Sequence, residues 1–134
     1  MDKKSKKKKT ILVVEDEETL SQAITKKLKL NGFNVIAARS IKKAMDHSDN
    51  CNSVHAVWLD HYLLGKETGL DFVIRMKENK KCKQVPIFVV SNTASPDKRH
   101  AYLQLGANKF YVKSDYKIRD IVSDIKNFLE EKNK

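Results

Sequence analysis

Between Ala56 and Asp60 the chain reads Ala-Val-Trp-Leu-Asp, four apolar residues that end abruptly in a carboxylate. With Val54 and His55 in front of it, this run has the pattern of a strand buried on both faces. Such strands belong to sheets covered by helices on either side. An Asp at the end of one has left the core and faces the crevice above the sheet edge, where open α/β sheets place their chemistry. The rest of the chain is therefore read for what it brings to Asp60.

Thr10 to Val14 is a second buried-strand pattern, and it too ends in acid, Glu15-Asp16-Glu17-Glu18. A helix follows with Leu20, Ala23, Ile24 and Leu28 on one face, stopped by Asn31-Gly32. Phe33 to Ala38 is a shorter strand. Ser40 is placed to cap a helix that turns Ile41, Ala44 and Met45 inward. Asn50 to Ser53 is a polar loop into the central strand. After the loop 61–68, a helix from Gly69 carries Leu70, Val73 and Ile74, and Lys80 to Gln84 form a basic loop. Val85 to Val90 is the fourth strand, with Pro86 near its start where a missing donor is tolerated. It leads into Ser91-Asn92-Thr93. Ser95-Pro96-Asp97 opens a helix with a cap and a proline at its first position, and that helix ends near Leu105-Gly106. Lys109 to Val112 is a short fifth strand followed by Lys113. A last helix puts Ile118, Ile121, Val122, Ile125, Phe128 and Leu129 on one stripe.

Five strands alternating with five helices predict an α/β fold: a five-stranded parallel sheet with helices on both faces. In the doubly wound strand order 2-1-3-4-5, strands 1 and 3 are neighbours at the switch point. Glu15, Asp16 and Asp60 then converge. Clustered carboxylates repel and are held by a cation or a shared proton. With oxygen ligands alone the ion is hard, and Mg²⁺, which keeps waters and needs few carboxylates, fits this sparse set better than Ca²⁺. Strand 4 delivers the Ser91 hydroxyl to the same rim and strand 5 the Lys113 ammonium. A carboxylate nucleophile, a divalent cation, a hydroxyl and a lysine suit phosphoryl transfer, where catalysis is positioning and charge neutralisation. Singly, each residue has a plainer reading: helix-dipole acids, a turn Asp, a turn hydroxyl, a surface lysine. The argument rests on their joint order along the chain.

Those same residues carry a resemblance. Ile-Leu-Val-Val-Glu15-Asp16, Trp58-Leu59-Asp60 with Gly69-Leu70 downstream, Val-Pro-Ile-Phe-Val-Val-Ser91, and Gly106-Ala107 through Tyr111-Val112-Lys113 resemble the receiver domains of two-component response regulators. The resemblance runs from about Thr10 to Leu129 and implies the flavodoxin-like doubly wound receiver fold. It implies Asp60 as phosphoacceptor, Glu15 and Asp16 as Mg²⁺-site acids, and the Tyr62 backbone carbonyl as a further Mg²⁺ ligand. Ser91 becomes the switch hydroxyl, Phe110 the switch aromatic and Lys113 the phosphoryl-pairing lysine. The implied donor is a phosphohistidine on a sensor histidine kinase or histidine phosphotransfer protein. The protein is then a phosphoacceptor switch that assists its own phosphorylation and dephosphorylation, rather than an enzyme. Phosphorylation is expected to draw Ser91 inward, pair Lys113 with the new charge and rotate Phe110 inward. This alters the face of helix 4, strand 5 and helix 5, on or near which Lys98, Arg99, His100, Tyr111, Tyr116 and Arg119 are expected. Tyr62 and Thr93 flank the expected water path, and neither is a good base, so slow self-dephosphorylation is expected.

The chain departs from the family pattern in three places. Ser114 stands where the family has Pro after the lysine, often with a cis bond; a non-proline cis bond costs ~2.5–4 kcal/mol, which favours trans here. Asn92 replaces a small residue after the switch hydroxyl, and Leu63-Leu64 replaces a frequent hydrophobic-Pro pair.

Charge and length complete the expectations. The net charge is +10 over 134 residues, and residues 1–10 hold six Lys and one Asp, half of that total. Residues 1–9 read as a basic, solvated tail, with contact to anionic surfaces as the alternative. Residues 10–134 read as one receiver domain acting alone, without a DNA-binding domain. Its signal passes to a downstream protein, to a homodimer through the helix 4–strand 5–helix 5 face, or onward by phosphotransfer. No apolar run reaches membrane-span length and no secretory signal is present, so a cytoplasmic address is expected. Cys51 and Cys82 are expected to be reduced thiols.

Three rival readings fit the residues less well. A phosphorylation-independent binding module on the same fold is opposed by the complete acid set. A haloacid-dehalogenase-type phosphatase wants a second Asp where Tyr62 stands. Flavin binding needs a Ser/Thr/Gly-rich loop where this chain has acids.

Overall fold

A computed structural model describes residues 8–48, 51–60, 69–92 and 95–132. Strands β1 (Thr10–Val14), β2 (Asn34–Ala38), β3 (Ala56–Asp60), β4 (Ile87–Ser91) and β5 (Lys109–Val112) form one parallel sheet, ordered β2-β1-β3-β4-β5. Between them run helices α1 (Glu18–Leu30), α2 (Ile41–Ser48), α3 (Gly69–Glu78) and α4 (Pro96–Gln104), and α5 (Ile118–Lys132) closes the fold. This is the doubly wound order expected from the sequence.

The apolar runs divide by the two-residue period of the pleat. Leu12, Val14, Val57, Leu59, Ile87 and Val89 face one layer and meet Ile41, Ala44, Phe72, Val73, Met76 and Tyr102 of α2, α3 and α4. Ile11, Val13, Ala56, Trp58, Phe88 and Val90 face the other and meet Ile24 and Leu28 of α1 with Ile121, Val122, Ile125 and Leu129 of α5. Strands apolar on both sides require helices on both sides, and β3 and β4 are buried throughout, as is β1 beyond Thr10.

Local signals behave as their chemistry requires. Past α1, Gly32 takes φ +91°; its N–H donates to Lys29 O and the Phe33 N–H to Leu28 O, a paired helix stop that the sequence announced. Ser40 Oγ accepts from Lys43 N–H and Ser95 Oγ from Lys98 N–H, capping α2 and α4. β4 begins at Ile87, two residues after the expected Val85: Pro86 has no N–H to give the ladder, although its carbonyl accepts from Val57 N–H. β4 also reaches one residue further than expected and includes Ser91. His55, which the sequence left without a role, accepts the Thr10 N–H on Nδ1 at 2.9 Å and joins the starts of β1 and β3.

The cysteines overturn an expectation. Cys51 and Cys82 form a disulfide, with Cα atoms 5.3 Å apart and both side chains buried. β3 and β4 are parallel neighbours, so the segments leading into them meet at the same end of the sheet. Cys51 lies in a 3₁₀ turn before β3, and Cys82 in the turns before β4. Their separation of 31 residues concealed this adjacency. Among the described residues no helix is long and apolar enough to cross a membrane.

Candidate functional site

β1, β3, β4 and β5 all end on one rim of the sheet. The registers Val14 with Leu59, Asp60 with Val90, and Ser91 with Val112 bring Glu15, Asp60, Ser91 and Lys113 to neighbouring positions along it. The Glu15 N–H donates to Ala38 O, extending the ladder by one bond and holding the residue against the sheet edge. Glu15 and Asp60 are 1 % and 2 % exposed, and Ser91 is fully buried, whereas Asp16 is half-buried. The Asp16 carbonyl accepts from Arg39 Nη2 at 3.2 Å.

Lys113 Nζ stands 3.5 Å from Glu15 Oε1 and 3.5 Å from Asp60 Oδ1. Glu15 Oε2 accepts the Glu17 N–H, but Glu15 Oε1 and Asp60 Oδ1 accept no hydrogen bond among the described residues. Burial, and then the neighbouring Asp60 charge, push the Glu15 carboxyl from 4.5 up to about 7. Burial also raises Asp60, against the pull of Lys113. Two buried carboxyls facing one ammonium are under-neutralised.

Oxygen atoms of Glu15, Asp16 and Asp60 lie within 4.8 Å of one another. Three ionised carboxylates and one lysine leave a formal charge of −2 (−3 + 1). The two orphaned buried oxygens and the all-oxygen donor set therefore fit a hard divalent cation. Tyr62, whose carbonyl was expected to join this set, lies outside the described residues, as do His61, Leu63, Leu64 and Thr93 and most of the lysine run.

Beyond the rim, Phe110 is 5 % exposed and packs on Tyr102 with ring centroids 5.9 Å apart; the Arg99 guanidinium lies over the Phe110 ring, 5.8 Å from its centroid. Phe110 is thus buried without a phosphoryl group on Asp60, whereas the expectation was an inward rotation on phosphorylation. Arg99, His100, Tyr116 and Arg119 are exposed as expected of a surface, and Lys98 is half-buried. Tyr111 is not on that surface: it is 4 % exposed on the α1/α5 side, donating its hydroxyl to Asp124 Oδ2 at 2.8 Å. Period two puts Phe110 and Tyr111 on opposite faces of the sheet, and the second of them falls under α5. The described backbone has no cis peptide bond, so Lys113–Ser114 is trans, and Lys113–Asp115 form a single 3₁₀ turn.

The sequence reading missed Tyr102. It is the buried residue of α4, it is 0 % exposed, and its hydroxyl presses against Gly69, where α3 begins. An aromatic inside Pro-Asp-Lys-Arg-His-Ala-Tyr-Leu-Gln was the available signal.

Known proteins resemble this chain in sequence and fold. A family model described as the response regulator receiver domain matches residues 11–126. The two-component response regulator ORR3 of Oryza sativa subsp. indica is 28 % identical over 103 residues, covering 77 % of this chain and 78 % of that protein. The transcriptional regulatory protein CpxR of Escherichia coli is 29 % identical over 119 residues, covering 89 % of this chain and 48 % of CpxR. This chain thus spans about half of CpxR's length. Among solved structures, a response regulator receiver domain protein from Clostridium thermocellum superposes with a TM-score of 0.82 at 25 % identity, covering 93 % of this chain and 97 % of that one. A CheY-like receiver domain protein from Methanospirillum hungatei JF-1 gives 0.85 at 20 % identity, covering 95 % and 98 %, a likeness of fold.

Proposed function

The chain belongs to the response regulator receiver domains of two-component systems, and from that premise we propose that Asp60 is its phosphoacceptor and a phosphohistidine its donor. An Asp60 carboxylate oxygen attacks phosphorus, the O–P bond forms as the N–P bond breaks, and the electron pair returns to the donor imidazole, which takes up a proton. Glu15, Asp16 and Asp60, with the Tyr62 carbonyl, are the residues that would hold Mg²⁺. Bound there, the ion neutralises charge between the acids and the phosphoryl oxygens. Lys113 shifts from its two carboxylates to the incoming group, and the Ser91 hydroxyl, one residue along β4 from the partner of Asp60, donates to it. Phe110, Tyr102 and Arg99 then carry the change to the α4–β5–α5 face, where a protein partner reads it.

The observation that carries this reading is the position of Lys113 Nζ, 3.5 Å from an acid of β1's end and from the acid of β3's end. A lysine shared by two buried carboxylates is poised to exchange one of them for a stronger anion. The test is intact mass after incubation with Mg²⁺ and acetyl phosphate. One added phosphoryl group is expected on the wild type, none on Asp60→Asn, and none with a chelator. Failure to gain mass together with failure to bind Mg²⁺ would overturn the proposal and leave a phosphorylation-independent binding module.

A further inference from the structure

Trp58, two residues before Asp60 on β3, packs in the layer formed with α1 and α5. It is 1 % exposed, and its Nε1–H meets no acceptor among the described residues. Indole is a donor only, and a buried donor left unpaired is costly, so the side chain ordinarily finds a partner. Beside it lies a cavity of about 110 Å³, walled by Leu20 and Ile24 from α1, Val90 from β4, Ile118 and Ile121 from α5, and Trp58, with Lys113 and Tyr116 completing the lining.

We propose that this cavity is a binding site for a small neutral organic molecule that offers one hydrogen-bond acceptor to Trp58 Nε1 and an aliphatic body to the α1–α5 wall. The walls select against the alternatives. A buried water needs two to four polar partners, and this lining is dominated by branched aliphatic side chains. Lys113 Nζ is already divided between Glu15 and Asp60, which leaves its apolar stem for the cavity. A carboxylate would have to surrender its hydration against leucine and isoleucine, which excludes an anion. Size sets the upper limit: a dry cavity of about 150 Å³ accommodates benzene, so this one suits a skeleton of about four or five non-hydrogen atoms. Lys113 is common to this cavity and the carboxylate rim, so occupancy is expected to alter the rate at which Asp60 is phosphorylated. That second effect rests on the function proposed above; binding does not.

The test uses 2-butanone as probe and 2-methyl-1-butene as its isostere lacking the acceptor, on the full chain. Trp58 is the sole tryptophan, so its indole N–H gives one assignable proton resonance. Butanone is expected to move that resonance downfield saturably, with the alkene binding about tenfold more weakly. Leu20→Phe, which fills the cavity from its rim, is expected to abolish the shift while the remaining amide spectrum stays that of a folded protein. An indole resonance unmoved by butanone, or a shift of equal size in Leu20→Phe, overturns the site. Phosphorylation by acetyl phosphate and Mg²⁺ binding, measured alongside, separate the two ideas: a saturable indole shift in a chain that neither gains a phosphoryl group nor binds Mg²⁺ would retain the cavity and sink the phosphoacceptor.

Discussion

Glu15 is the residue on which metal, proton and lysine compete. Its carboxyl is held near 7 in the folded protein against 4.5 in its ordinary state, chiefly by burial and then by Asp60. A raised acid contributes stability below its unfolded value and loses it as pH climbs through the folded one, because the native state alone keeps the proton in between. In chelator, the wild type is therefore expected to lose thermal stability between about pH 4.5 and pH 7 relative to Glu15→Gln, which has no proton to shed. Above that window the offset between the two profiles becomes constant. Added Mg²⁺ is expected to raise the wild-type midpoint near pH 8, where the acids are ionised, and to do little near pH 5, where protons occupy its place. Parallel wild-type and Glu15→Gln profiles across the window would show that Glu15 does not titrate there.

At the scale of elements, α4 sends one fully buried side chain into the body. Most of its residues are polar, and Tyr102 packs on Phe110 and against Gly69 at the start of α3. A methyl group at Gly69 would collide with the Tyr102 hydroxyl and lie 3.4 Å from Leu59 Cδ2, so that glycine is required by close approach. Gly69→Ala is expected to cost about 1–3 kcal/mol by overpacking. In a Tyr102→Phe background it should cost less, since the colliding oxygen is gone, and a denaturant double-mutant cycle reads the difference as coupling. Zero coupling would mean that the two residues do not meet. This contact also marks where sequence reasoning stopped. Buried strands were legible because residues covered on both faces must all be apolar, and the rim acids, Ser91 and Lys113 were legible because each stands at the end of such a strand or within two residues of it. Tyr102, the Tyr111–Asp124 bond and the Trp58 cavity depend on which helix faces which strand. A helix of mostly polar residues carries no periodic signal of its single buried position.

Across the whole molecule, the Cys51–Cys82 disulfide closes a loop that contains β3, Asp60 and α3. Closing a loop of this length removes chain entropy from the unfolded state worth about 3–4 kcal/mol. Cys51→Ser combined with Cys82→Ser, or reduction of the wild type, should therefore lower the unfolding free energy by an amount of that order. Alkylation in denaturant should add nothing to the unreduced chain and two groups after reduction; two groups without reduction would show that the bond does not form. Two reduced thiols were the natural reading of two cysteines far apart in a chain of this composition, and only the parallel pairing of β3 with β4 brings them together. The bond also alters the connectivity of the molecule. The segment bearing Asp60 is a covalent ring, so one peptide-bond cut anywhere between Cys51 and Cys82 opens the ring without dividing the protein. A protease-nicked chain would migrate as a single species until a reductant separates its halves.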